Sequence, residues 1–237
     1  MGAVQFGVLP PIEARARAEE AALRALEIDA TLAEAHTALA YVKHFNWDWT
    51  TAEEEFKRAI ELNPNYANAY NLYAGYLMSR RRVDESITAS NRARELDPLS
   101  LGISVQRGFL LENARRYDEA IEQLRSVVSL DQNHYQAYWM LGHTYAVSGR
   151  LDQGVESAER AAELSGRAPG ALGILGLVYG LAGRKAEATK VLNELLELNN
   201  KRYVTPAAIA YVYIGLGDKD YAFVWLEKAY QERSNFI

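Results

Sequence analysis

The fold is decided by the unit Ala33–Tyr66, which reads AEAHTALAYVKHFNWDWTTAEEEFKRAIELNPNY. A small residue from this unit recurs along the chain at a constant spacing, equal to the length of the unit, as Ala40, Ala74, Gly108, Gly142, Gly176 and Ala210. A fixed period of this length, about 34 residues, indicates stacked copies of one supersecondary unit, because a single copy cannot bury its apolar face alone.

Each unit contains two stretches with helical apolar periodicity, which predicts a pair of helices. In the unit Ala33–Tyr66, one stretch runs to about Phe45 and the other runs from Thr51 to Leu62, where Pro64 stops it. A second set of small residues falls in the opposing helices, at Ala52, Ser86, Ala120, Gly154, Ala188 and Ala222. Small residues that face each other allow two helix axes to approach more closely than the usual roughly 8–10 Å.

These patterns predict an all-α fold, a right-handed α-solenoid of antiparallel helix pairs. Six contiguous units are predicted over residues 33–236, and they start at residues 33, 67, 101, 135, 169 and 203. Residues 1–32 supply a partial first unit in which only the second helix is complete. Because both ends fall within a repeat, we interpret the sequence as a fragment of a larger protein.

The composition argues against several classes of function. The chain of 237 residues has a net charge of −5, which disfavours a surface that follows nucleic-acid phosphates. It has no cysteine, which excludes disulfides, thiolate zinc sites and cysteine nucleophiles. His36 and His44 lie eight residues apart and cannot bind one ion together. We therefore predict no catalytic residue, no metal and no cofactor, and, without a signal peptide, a cytoplasmic location.

Charged clusters in the sequence have structural interpretations. The run Glu53–Glu55 opens a predicted helix, where carboxylates offset the positive end of the helix dipole. Two basic turns, residues 80–82 and 115–116, fall at equivalent places in adjacent units. They are interpreted as solvated turn residues, with docking to an acidic partner as the alternative.

The glycine-rich segment Gly170–Gly183 is unlike the rest of the chain. It has 14 uncharged residues, which is too short to span a bilayer, and it lacks the spacing of a phosphate-binding loop. In the repeat register Gly176 packs inside, whereas Gly170, Gly173 and Gly180 are expected on the open face. Two explanations remain for these three: neutral drift, or a ligand backbone that lies close to the helix.

The repeated residues resemble a known family. The unit Ala33–Tyr66 resembles a tetratricopeptide repeat (TPR) in its residues Leu39, Ala40, Ala52, Phe56, Ala59 and Pro64. The fifth copy repeats the aromatic, Leu-Gly and Tyr core of that motif with Tyr138, Leu141, Gly142 and Tyr145. Three further segments, residues 7–11, 46–53 and 217–229, resemble the TPR regions of multidomain bacterial regulators. In those proteins the repeats follow a winged-helix, adenylate cyclase or protein kinase domain.

The TPR resemblance implies that the first helices line a concave groove that receives a peptide or a helix. The matching positions predict an apolar and aromatic partner-binding set: Tyr41, His44, Phe45, Asn71, Gln106, Phe109, Trp139, Met140, His143, Leu177 and Tyr211. Trp139, with Phe109 and His143, is expected at the centre of this set, because aromatic residues dominate interaction hot spots. The basic clamp with which chaperone-binding TPR domains hold a carboxylate is missing.

The sequence therefore predicts a non-enzymatic scaffold for protein–protein interaction, a regulatory module of a larger bacterial protein. The alternative is an accessory TPR domain of an enzyme, such as a kinase, cyclase or glycosyltransferase, whose catalytic part is absent. We predict a protein or a peptide as the partner, and we predict binding to neither nucleic acid nor a membrane. Weak self-association through the outer helices or the groove is expected, because Val224, Leu226 and Tyr230 lack a successor helix.

Overall fold

A computed structural model describes Pro10–Ser234; most of the 7–11 segment and residues 235–237 lie outside the described residues. This part of the chain forms thirteen α-helices and no strand. The helices are α1 Pro11–Ile28, α2 Ala33–Phe45, α3 Trp49–Leu62, α4 Ala67–Ser79, α5 Val83–Leu96, α6 Leu101–Asn113, α7 Tyr117–Leu130, α8 Tyr135–Val147, α9 Leu151–Leu164, α10 Pro169–Leu181, α11 Lys185–Asn199, α12 Pro206–Leu216 and α13 Lys219–Gln231. The predicted all-α helical-repeat fold is confirmed.

The chain divides into two compact units. The N-terminal unit comprises Glu13–Gln123, and the C-terminal unit comprises the described residues from Leu124 onwards. Each unit contains first helices and second helices of the repeat: α2, α4 and α6 are first helices of the N-terminal unit, and α8, α10 and α12 are first helices of the C-terminal unit.

The first helices from α2 to α10 begin at the constant spacing of the sequence repeat, at Ala33, Ala67, Leu101, Tyr135 and Pro169. The last one, α12, begins at Pro206, three residues later than this spacing. Proline occupies the first turn of both α10 and α12. An N–H at this position would have no partner within the helix, so its absence costs no hydrogen bond, and the fixed φ of proline is helical. Pro206 also disfavours a helical conformation at Thr205, and residues 200–205 lie outside the helices.

The turn between the two helices of a repeat recurs with the same period. One residue in each turn has a left-handed backbone, namely Trp47, Arg81, Arg115, Gly149, Gly183 and Gly217, with φ between 60° and 82°. The N–H of the next residue then donates back to the first helix, as from Arg82 to the Leu77 carbonyl over 2.9 Å. This is the hydrogen bond that closes a helix end around a left-handed residue.

Small residues face each other between the paired helices, as the sequence predicts. Ala40, Ala52 and Ala74 are fully buried. A Cβ added at Gly142 of α8 would lie 3.1 Å from the Cβ of Ala158 in α9, so the two helices are already in contact there. These close approaches explain why the repeat tolerates only Ala, Gly or Ser at these positions.

The expectation that Gly173 and Gly180 lie on an open face is wrong. A Cβ at Gly173 would lie 2.8 Å from the Cα of Ala208, and one at Gly180 would lie 2.2 Å from the carbonyl carbon of Gly215. Both contacts are with the backbone of α12, so these glycines allow α10 and α12 to pack closely. Of the three glycines expected on the open face, Gly170 alone has open space around it, with no atom within 4 Å of an added Cβ.

Candidate functional site

The predicted binding residues on α2 lie in an aromatic cluster of the N-terminal unit. The Tyr41 and Phe45 rings are 4.8 Å apart, and the His44 ring stacks on Phe45 at 4.6 Å. Burial raises the pKa of the Tyr41 hydroxyl. Tyr41 and Phe45 are half-buried, so part of each ring remains available to a partner.

His44 is a buried residue rather than an exposed one. Its side chain contacts the rings of Trp49 and Tyr76, and its Nε2 is 3.1 Å from the Ser79 hydroxyl. Burial, with a smaller contribution from the Arg80 guanidinium, lowers the pKa of His44 to about 4. His44 is therefore neutral at neutral pH and serves the packing of α2 on α3 and α4.

The other predicted residues of the N-terminal unit remain accessible. Asn71 lines a cavity of about 290 Å³ between the first turns of α4 and α6, together with Asn68 and Ser100. Gln106 is half-buried, and its amide nitrogen would lie 3.1 Å from a Cβ at Gly75. Phe109 is 39% exposed, although a ring of this size is normally covered.

Two of the predicted residues in the C-terminal unit belong to its core. Met140 is 3% exposed and Leu177 is 4% exposed, so neither presents a side chain to a partner. Trp139 is half-buried against this core, and its indole N–H donates to the Gly170 carbonyl over 3.0 Å. The indole of Trp139 thus links α8 to the first turn of α10.

His143 of α8 and Tyr211 of α12 are brought together although they are far apart in sequence. Their ring centroids are 6.2 Å apart, and both side chains are half-buried. This approach depends on α10, which lies in contact with both helices. Because Gly173 and Gly180 carry no side chain, α12 packs closely on α10. The pair is the clearest aromatic feature on the first helices of this unit.

Sequence reasoning missed the polar network around Glu53. This residue lies past the first turn of α3, so the expected interaction with the helix dipole is wrong for it. Its carboxylate accepts hydrogen bonds from Arg82 over 2.8 Å, from Tyr73 and from Tyr76. The hydrogen bonds from Arg82 and Lys57 lower the pKa of Glu53 to about 2. The network joins adjacent repeats. In the sequence, its one indication is the position of Glu53 within the repeat unit.

An arginine at the start of the second helix recurs in four repeats, at residues 82, 116, 150 and 184. Arg82, Arg116 and Arg184 each bind a glutamate three residues later, over 2.6–3.0 Å. Asp48 and Asp218 occupy the same position in the outer repeats and accept a backbone N–H as helix caps. In three of the four inner repeats an ion pair thus takes the place of the side-chain cap.

Neither a metal-binding cluster nor a bilayer-spanning helix occurs within Pro10–Ser234. No group of three or more His, Asp or Glu side chains in this part of the chain is arranged to hold a metal ion. No helix within it combines the length and the apolar character that crossing a bilayer requires.

Comparison with known families agrees with the repeat geometry. A sequence model described as "Tetratricopeptide repeat" matches residues 46–100, 106–169 and 140–203, which together exceed half of the chain. This chain is a member of the tetratricopeptide repeat family. The resemblance found in the sequence is thereby confirmed for the repeats themselves.

Individual relatives share the fold of this TPR chain. The type IV pilus assembly protein PilF of Pseudomonas aeruginosa is 36% identical over 63 residues, which are 27% of this chain and 25% of that protein. The chain thus matches only a quarter of the length of this relative. That match is shorter than two repeats, so it reflects the repeat unit itself.

Solved structures with this fold include that of Pseudomonas aeruginosa PilF, with a TM-score of 0.58 and 20% identity over 79% of this chain and 93% of that chain. One chain of the Cut9–Hcn1 complex has a TM-score of 0.69 and is 17% identical. That match covers 94% of this chain and 44% of the Cut9–Hcn1 chain. YrrB, described as "a TPR protein with an unusual peptide-binding site", has a TM-score of 0.51 and is 17% identical. The match covers 88% of this chain and 99% of that chain. At these identities the similarity shows the fold alone.

Proposed function

We propose that this TPR chain is a non-catalytic scaffold that binds a peptide or a helix of a partner protein on its first helices. The observation that carries the proposal is the set of incompletely covered aromatic residues on those helices. Phe109 represents it in the N-terminal unit, and the His143–Tyr211 pair represents it in the C-terminal unit. Rings that fold with part of their surface exposed are typical of interaction hot spots.

The polar residues beside these rings support a peptide ligand. Asn71 and Gln106 carry amides, which both donate and accept hydrogen bonds and so match the groups of a peptide backbone. The cavity beside Asn71 has room for a small side chain or a few waters. The peptide-binding site named in the description of YrrB shows that a protein of this fold can bind such a ligand.

The wider context of the chain is also part of the proposal. We retain the prediction that it is a regulatory module of a larger bacterial protein in the cytoplasm, with the accessory domain of an enzyme as the alternative. The curated relative is named as a pilus assembly protein, which makes assembly of a multiprotein complex a second role of the same scaffold class.

Loss of aromatic surface is expected to weaken partner binding without unfolding the chain. A peptide selected from a library on the intact protein provides the probe, and its affinity is measured by fluorescence anisotropy. Phe109→Ala is expected to weaken a peptide bound on the N-terminal unit, and His143→Ala combined with Tyr211→Ala a peptide bound on the C-terminal unit, each by about 2 kcal/mol, roughly thirtyfold. The circular dichroism spectrum of these variants should remain helical.

A matched control is Leu99→Ala, because Leu99 is 83% exposed in the turn before α6 and lies outside the predicted set. This variant should bind as the wild type does. If Leu99→Ala weakens binding as much as the aromatic variants, or if the aromatic variants bind normally, the first helices are not the binding surface.

Weak self-association through α13 is the second part of the proposal. Tyr221, Phe223, Val224 and Tyr230 are each at least 55% exposed on this helix. The position of Val224 in the repeat is polar in the five preceding copies, as Glu54, Thr88, Glu122, Glu156 and Lys190. Phe223, Val224 and Tyr230 share one side of α13, and two copies that pair through it would bury less than about 1,000 Å², which suits weak association.

Sedimentation velocity over a hundredfold range of concentration tests this pairing. The wild type is expected to sediment faster as its concentration rises, whereas Phe223→Glu should sediment as a monomer throughout. Leu99→Glu serves as the control for an added charge at an exposed leucine. A wild type that stays monomeric at every concentration would contradict self-association through α13.

A further inference from the structure

Three arginines lie at the ends of two neighbouring first helices in the N-terminal unit. Arg80 and Arg81 follow α4, and Arg115 occupies the equivalent turn after α6. All three side chains are exposed. The guanidinium of Arg80 lies over the ring of Trp49, 5.0 Å from its centroid, which fixes its position by a cation–π contact.

These arginines differ from their neighbours in their ion pairing. Arg82 binds Glu53 and Glu85, and Arg116 binds Glu119. Within Pro10–Ser234, by contrast, the guanidiniums of Arg80, Arg81 and Arg115 have no carboxylate within 4 Å. The two turns therefore present three guanidiniums that form no ion pair within the described chain, although the whole chain is acidic.

The backbone of these turns is the second observation. Arg81 and Arg115 both have φ of 60°, the left-handed conformation that an L side chain adopts at a cost. The equivalent positions in the C-terminal unit are Gly149, Gly183 and Gly217, which adopt this conformation without that cost. Trp47 at the equivalent position and Arg167 also adopt this conformation, so it serves the closure of the helix end. Glycine can therefore replace Arg81 and Arg115 without disturbing the turn, which makes their charges separable from the fold.

We propose that Arg80, Arg81 and Arg115 form a docking site for an acidic, extended peptide segment of a partner protein. The occupant follows from charge complementarity, because planar guanidiniums bind carboxylates through paired hydrogen bonds. Since α4 and α6 pack against each other, their axes lie about 8–10 Å apart at closest approach, which sets the scale for the separation of the two turns. A peptide in the polyproline II conformation covers this distance in one turn of about three residues, so acidic residues at positions i and i+3 lie on one face and match the two turns. This surface is distinct from the aromatic set of the proposed function.

A peptide is a better match than a nucleic acid for two reasons. Three arginines on two turns span too short a distance to follow a phosphate backbone. The Trp49 ring beside these arginines is already covered on one face by Arg80, which removes a stacking platform for a base.

The test uses the full chain and a fluorescent peptide that carries aspartate at every third position, titrated at low ionic strength and followed by anisotropy. Arg81→Gly combined with Arg115→Gly removes both charges and also relieves the left-handed strain. We expect about tenfold weaker binding together with a melting temperature that rises by about 2–4 °C. Because stability and affinity change in opposite directions, misfolding cannot account for the loss of binding.

The control variant combines Arg58→Ala with Arg92→Ala, two exposed arginines of the N-terminal unit that already pair with Glu61 and Glu95. It should bind the peptide as the wild type does. Equal binding by the glycine variant, or no binding of the peptide by the wild type, would overturn the proposal. So would tighter binding of a single-stranded oligonucleotide of equal charge that depends on the same arginines. The aromatic variants Phe109→Ala and His143→Ala should leave this binding unchanged, which separates it from the proposed function.

Discussion

Gly180→Ala is expected to destabilise the C-terminal unit by about 3 kcal/mol, although alanine is the better helix former by about 1 kcal/mol. The new Cβ would lie 2.2 Å from the carbonyl carbon and 2.4 Å from the carbonyl oxygen of Gly215. The approach is equally close from the other helix, because a Cβ at Gly215 of α12 would lie 2.5 Å from the Leu177 carbonyl oxygen of α10. Both obstacles are backbone atoms, so α10 and α12 must move apart to make room.

The matched control lies in the same helix. Gly170→Ala has open space around the added Cβ, so it should leave stability unchanged or raise it by up to about 1 kcal/mol. Urea unfolding followed by circular dichroism measures both variants. If Gly180→Ala and Gly170→Ala unfold at the same urea concentration, the close packing of α10 on α12 is wrong.

Acid is expected to destabilise the N-terminal unit through His44, by about 3 kcal/mol in total between pH 6.5 and pH 4. The unfolded chain takes up a proton at the ordinary pKa of 6.5, whereas folded His44 resists protonation until its pKa of about 4. Over this window the unfolded state binds more protons, so stability falls as the pH falls. Below pH 4 both states carry the proton and His44 causes no further loss.

His44→Phe removes this titration while it keeps a ring in the aromatic cluster. Its stability should be nearly constant between pH 6.5 and pH 4.5, where that of the wild type declines. Thermal unfolding at a series of pH values provides the measurement. An identical decline in His44→Phe and in the wild type over this window would show that His44 is not the responsible group.

Glu53 should act in a separate and lower window. Its folded pKa of about 2 lies below the ordinary 4.5, so its contribution to stability is present above pH 4.5 and is lost as the pH falls towards 2. Glu53 titrates at a lower pH than His44. Glu53→Gln should therefore reduce the loss of stability below about pH 4.5 and leave the loss between pH 6.5 and pH 4.5 unchanged.

The repeat itself could be predicted from the sequence because its physical cause is local. Ala40 and Ala52 must be small wherever paired helices touch, so their spacing repeats with the fold. The glycines at residues 149, 183 and 217 likewise mark the left-handed turns. Arg81 and Arg115 adopt the same conformation without glycine, and composition alone could not indicate this.

The faces of the first helices could not be predicted in full, because their surroundings are not encoded in one repeat. α10 contacts the second helices α9 and α11 and also the first helices α8 and α12. Every residue from Ala171 to Val178 is consequently buried. The repeat register identified the face towards the second helices, but it counted Gly173 and Leu177 as open because the neighbouring first helices were not taken into account.

The binding surface on the first helices is tested most directly by the backbone amide shifts of the protein in nuclear magnetic resonance, measured with and without the library-selected peptide. We expect the largest changes at Phe109, His143 and Tyr211 and their neighbours on the first helices, with little change at Glu122 and Glu156 on the second helices. Changes confined to the second helices would contradict a partner-binding surface on the first helices.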